Sequence, residues 1–124
     1  MSETVEELLE KVRKHNGPLS DKYYMVAMRW ADEENAANLL EDTKSEELAE
    51  RKAKLIRADP NLADNAAERE VKASADWRQR ILDTIEARHK ATKLKIALKV
   101  IDMRHSEQSS LEATKRMEMK QFGG

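Results

Sequence analysis

From Trp77 to Met119 the chain contains neither glycine nor proline. The two residues that most readily release a backbone from helical dihedrals are missing there, so nothing in the stretch ends a helix. Alternation over Leu94 to Leu98 hints at a strand, but no turn residues flank it. The sequence therefore predicts one continuous helix over 74–119, about 70 Å long at 1.5 Å per residue. Such a helix dictates an all-α architecture in which other helices bury one of its faces.

The remaining chain supplies three further helices. Thr4-Val5-Glu6-Glu7 fits a capping box, and Val5, Leu8, Leu9 and Val12 follow at helical spacing. A short helix over 4–16 is expected, closed by His15-Asn16-Gly17-Pro18 with glycine as a left-handed cap. His15 would sit at that C-terminus, where the helix dipole favours a cation. Ser20 or Asp21 caps a second helix that meets no breaker before Asp59-Pro60, giving 20–58. Asp59 as N-cap and Pro60 at the first helical position start a third, 60–72. Ser74 caps the last, which ends at the Phe122-Gly123-Gly124 tail. The expected organisation is one helical domain over 1–124, with helices at 4–16, 20–58, 60–72 and 74–119.

At 100° per residue the long C-terminal helix has two apolar faces. Leu94, Ala97, Leu98 and Ile101 form one; Ile96, Val100 and Met103 form the other, with Lys95 and Lys99 on one flank and Lys93 and Arg104 on the opposite one. The first face packs against the chain's own second helix. Little chain remains to cover the other, and exposed apolar faces mark interfaces. Ile96, Val100 and Met103 are therefore expected to join copies of the chain into a homo-oligomer, a closed ring or bundle being the simplest form. The competing arrangement is a monomer whose long helix is sandwiched by the first and second helices.

Charge is unevenly spread. Residues 1–50 carry 13 acids and 6 bases, and residues 51–124 carry 17 bases and 11 acids. An acidic front and a basic back suit a polyanion partner, self-association, or both. Cysteine is absent, which removes disulfides and thiolate metal sites. No apolar run approaches the roughly 20 residues of a membrane span, and MSETVEELLEK does not read as a signal peptide. A soluble, cytoplasmic protein is expected, with no membrane partner.

No phosphate-cradling glycine loop, no HExxH and no Ser/His/Asp pattern is found, so neither a catalytic residue nor a cofactor is expected. Glu86-x-x-His89 and Asp102-x-x-His105 have metal-ligand spacing, but they lie about 24 Å apart on one helix and each is flanked by arginine. They read as solvated polar pairs. Trp77, with Ile81 and Ile85 at i+4 spacing, and Trp30, four residues after Val26, read as packing residues. Two basic clusters remain: Arg51, Lys52, Lys54 and Arg57 on the second helix, and Arg88, Lys90, Lys93, Lys95, Lys99 and Arg104 on the last. Solvated faces explain both in part. Residues 88–101 nevertheless hold no acid, and basic helices without stacking aromatics suit phosphate contact without base reading.

The layout resembles the UvsY-type recombination mediators of tailed phages. The resemblance is carried by ERKAKLIRAD (Lys52, Ala53, Lys54, Arg57, Asp59), by Ser74-Ala75-Asp76, and by VIDMRHSE (Val100, Asp102, Met103, Arg104, Glu107). Two features differ: the linker is the compact DPNLADNAA, and the chain extends past the DMR segment. The resemblance implies a non-enzymatic protein that binds single-stranded DNA and assembles as a ring-like homo-oligomer. It also implies help for a RecA-type recombinase in replacing a single-strand binding protein. The DNA contact it implies falls on Arg57, Lys52 and Lys54; the residues themselves add Lys90, Lys93, Lys95 and Lys99 as a second surface. A protein–protein adaptor or inhibitor without nucleic-acid binding is the alternative.

Overall fold

The structure, a computed structural model, describes residues 3–122. Among the described residues the fold is all-helical: α1 (Val5–Lys14), α2 (Leu19–Asp42), α3 (Lys44–Ala58), α4 (Asp64–Ala73) and α5 (Ala75–Phe122). Gly123 and Gly124, expected to end the last helix, lie outside the described residues. The chain divides into two compact units, Asp32–Ala91 and the segments that flank it, up to Ala31 and from Thr92.

In the flanking unit, α1 begins at an N-cap where the Thr4 hydroxyl accepts a hydrogen bond from the Glu7 amide at 3.1 Å. Val5, Leu8 and Val12 of α1, Val26 of α2, and Leu94, Leu98 and Ile101 of α5 form the buried core. Burial of each leucine contributes roughly 1.5–3 kcal/mol. Ala97 and Trp30 are partly buried against the same cluster. The inner face of α5 is thus the one expected, covered by α1 as well as α2. Gly17 serves differently from the expectation. No described glycine has a positive φ, and His15 is an extended C-cap. A Cβ at Gly17 would lie 2.4 Å from His15 Nε2, the tip of a half-exposed side chain that can swing aside.

In the Asp32–Ala91 unit the expected helix 20–58 is divided at Thr43. The Thr43 hydroxyl donates to the Leu39 carbonyl at 2.6 Å, a bond that bends helices. The Leu40 carbonyl, which a straight helix would offer to Lys44, accepts from Arg80 Nη2 at 2.9 Å. Sequence periodicity carries no trace of the Arg80 contact, which comes from a residue 40 positions away. The third helix also starts later than expected. Asp59 caps the end of α3 and turns back on the next residues: its Oδ1 accepts from the Asn61 amide and its carbonyl from Leu62. That turn consumes Pro60 to Leu62, so α4 begins at Asp64. Ser74 joins the last two helices, its hydroxyl accepting from the Trp77 amide at 3.2 Å and donating to the Val71 carbonyl.

Trp77 is buried as expected, but Ile81 and Ile85 are not; Ile85 is 60% exposed. Two successive i+4 steps drift about 80° around a helix. The covered positions on α5 alternate steps of three and four instead: Trp77, Arg80, Thr84, Ala87 and Ala91. Ile81, Leu82 and Ile85 consequently remain in solvent.

Candidate nucleic-acid and assembly surfaces

On the flanking unit, α5 presents Lys93, Lys95 and Lys99 around the outer apolar strip. Ile96 is 56%, Val100 40% and Met103 61% exposed, so the described residues leave this strip largely uncovered. Lys95 and Lys99 are exposed, and among the described residues neither meets a carboxylate. Lys93 does: its Nζ lies 2.6 Å from Glu6 Oε1 of α1. Beyond Ile101, every α5 residue through Gln121 is exposed. Near its base an open groove of about 540 Å³ is lined by Leu19, Tyr23, Ile101, Asp102, His105 and Glu112 among others. Its polar lining carries two carboxylates, unsuited to phosphate.

The α3 cluster is less available than its sequence suggests. Lys52 Nζ is 3.0 Å from Asp64 Oδ2 of α4, and its side chain is mostly covered. Arg51 donates to Glu47 at 2.8 Å and lies over the Trp77 ring. Lys54 is exposed but stands at a groove of about 570 Å³ shared with Glu47, Glu50, Glu70 and Asp76. Four acids against two bases give that groove a negative field. Arg57 is exposed, with Nε 3.4 Å from the Ala53 carbonyl, and among the described residues no carboxylate pairs with it.

Arg80 and Arg88 of α5, within the Asp32–Ala91 unit, serve structure, and Lys90 is paired within its own helix. Arg88 forms a five-bond fork to Glu34, Asn38 and Glu41 of α2, all between 2.7 and 3.0 Å. Lys90 lies 3.7 Å from Glu86 one turn away. Arg80, 7% exposed, donates to Glu47, Leu40 and Thr43 and stacks over Trp77 at 5.6 Å. Two guanidinium groups hold the Glu47 carboxyl below its ordinary range through these hydrogen bonds.

The sequence reading missed these three roles. The signal for Arg88 was present: Glu34, Asn38 and Glu41 recur at helical spacing and define an acidic and amide face on α2. Among the described residues no three His, Asp or Glu side chains gather as a metal site, and no helix is long and apolar enough to cross a membrane. No protein-family model matches this chain, and no curated protein or solved structure does either.

Proposed function

We propose that the protein is a non-enzymatic phage recombination mediator. In this reading it binds single-stranded DNA and helps a RecA-type recombinase displace a single-strand binding protein in the host cytoplasm. The strand lies along α5, and copies of the chain join through Ile96, Val100 and Met103. The observation that carries the DNA reading is the exposed pair Lys95 and Lys99, one turn apart on a helix that has no acid between residues 88 and 101. Exposed ammonium groups without internal partners are free to release the counterions of a phosphate backbone. The short ERKAKLIRAD and VIDMRHSE motifs supply the mediator role by resemblance. Compared with the sequence reading, the balance moves from α3 to α5, since Lys52 is engaged and Lys54 shares its groove with acids.

That same engagement favours the second reading, an adaptor that meets proteins and not DNA. Oligo-dT binding followed by fluorescence anisotropy over a salt series separates the two. Each phosphate neutralised on a single strand adds about −0.7 to the slope of log K against log salt. Lys95→Ala with Lys99→Ala should flatten the slope by about 1.4 on that basis. Lys54→Ala with Arg57→Ala should change it less. The reverse ranking moves the site to α3, and absence of binding at low salt defeats the mediator reading and favours the adaptor.

A further inference from the structure

Beyond Ile101, α5 continues with every residue from Asp102 to Gln121 exposed, about 30 Å of helix at 1.5 Å per residue. Helices in proteins draw most of their stability from a packed face, and among the described residues nothing packs on this one. One side of it, with His105, Ser109 and Glu112, lines the open groove at its base. Another side carries Arg104, Glu107, Leu111, Lys115 and Glu118, all within about 40° of one line at 100° per residue. All five are exposed, Leu111 at 64%, and among the described residues none of the four charges has an ion-pair partner. Their spacing is symmetric and their charge antisymmetric. Glu107 and Lys115 stand four residues either side of Leu111, and Arg104 and Glu118 stand seven either side. At each distance an acid on one side answers a base on the other.

We propose that this end of α5 docks on the same end of a second copy, antiparallel and two-fold about Leu111. That arrangement sets Arg104 against Glu118, Glu107 against Lys115, and Leu111 against itself, so opposite charges ring one apolar layer. An in-register parallel copy would set like charge against like at all four positions. Charges beside a helix–helix seam decide partner and direction in this way. The contact is isologous, each copy offering the same patch. Arg104 with Glu107, and Lys115 with Glu118, also have i,i+3 spacing within one helix, but such pairs stabilise a helix only slightly and do not require the symmetry about Leu111. Lys95 and Lys99 lie at least about 120° round the helix from this side. The contact therefore leaves them open, and it stands whether or not the chain binds DNA. It is a second contact between copies, further along α5 than the Ile96, Val100 and Met103 strip.

The chain has no cysteine, so introduced thiols report the pairing directly. Leu111→Cys, Arg104→Cys and Glu118→Cys are made separately in the full chain and oxidised with diamide at high micromolar concentration. In the proposed register the two positions 111 meet, and position 104 of one copy meets 118 of the other. The two positions 104 lie about 21 Å apart along the axis, far beyond the roughly 7 Å between Cα atoms that a disulfide spans. Leu111→Cys should therefore cross-link alone, and Arg104→Cys only when mixed with Glu118→Cys. Cross-linking of Arg104→Cys alone as fast as Leu111→Cys overturns the proposal in favour of a parallel pair. Sedimentation of charge variants is the second measurement. Each substitution counts twice across the two-fold, so Glu118→Arg should weaken association about tenfold, and Arg104→Glu together with Glu118→Arg should restore it to within about twofold. No recovery in the double variant overturns the proposal, because the two charges then do not meet. Thermal melts with matching helical signal establish that folding is unaltered. No cross-link from any variant, with the parent still a multimer, removes this contact and leaves the strip as the interface. No cross-link and a monomeric parent remove both.

Discussion

Arg80→Ala tests whether one buried guanidinium shapes the junction between α2 and α3. Arg80 donates to the Leu40 carbonyl, the Thr43 hydroxyl and the Glu47 carboxylate, and covers one face of Trp77. Removing it takes a charged hydrogen-bond donor from the carbonyl of half-buried Leu40, at about 1.5–3 kcal/mol. The lost contact with Trp77 costs about 0.5–2 kcal/mol more. Glu47 is partly compensated, since it keeps Arg51 at 2.8 Å and retains some contact with water. The net expectation is a loss of about 3 kcal/mol, or a fall of roughly 10 °C in melting temperature for a chain of this size. Circular dichroism melts and urea titration measure the loss. Hydrogen exchange reports the local consequence: amides of residues 40–47 should lose protection before those of the α1 and α5 core. A variant that melts within about 2 °C of the parent, with unchanged exchange at 40–47, refutes the reasoning.

Two further outcomes follow from the same geometry. Val100→Glu places a charge in the outer strip of α5; it should shift sedimentation toward the monomer by several kcal/mol of lost association, and identical sedimentation would place the interface elsewhere. Glu47 has its carboxyl held below the ordinary range by Arg80 and then Arg51. A depressed folded-state value means stability that is complete above the ordinary carboxylate range and lost as pH falls through the lower folded value. The urea midpoint of the parent should therefore drop between about pH 5 and pH 3 more steeply than that of Glu47→Gln, and parallel curves would contradict the assignment.

The legible and illegible parts of this molecule divide along a physical line. Whatever depends on neighbours in sequence was legible. Thr4 and Ser74 act as caps, residues 75–122 form one helix, and Leu94, Leu98 and Ile101 share a buried face. Whatever depends on a distant side chain was not. The Arg80 contact at the Thr43 break, and the pairing of Lys52 with Asp64 and of Lys93 with Glu6, all come from residues distant in sequence. A basic residue in sequence announces its charge but not its partner. Hence the α3 cluster, strong as a motif, is weaker as a surface than Lys95 and Lys99. Ile81 and Ile85 failed for a narrower reason: two i+4 steps were read as one face, although the helix had already turned away.

The central claim is that copies of this chain assemble through α5 and hold single-stranded DNA. Light scattering coupled to size exclusion, with and without a short oligo-dT at low salt, tests both halves at once. The account predicts a mass that is a multiple of the 14.3 kDa chain, and co-elution of the oligonucleotide with that species until salt is raised. A particle of 14.3 kDa in both runs, with the oligonucleotide eluting separately, would contradict it.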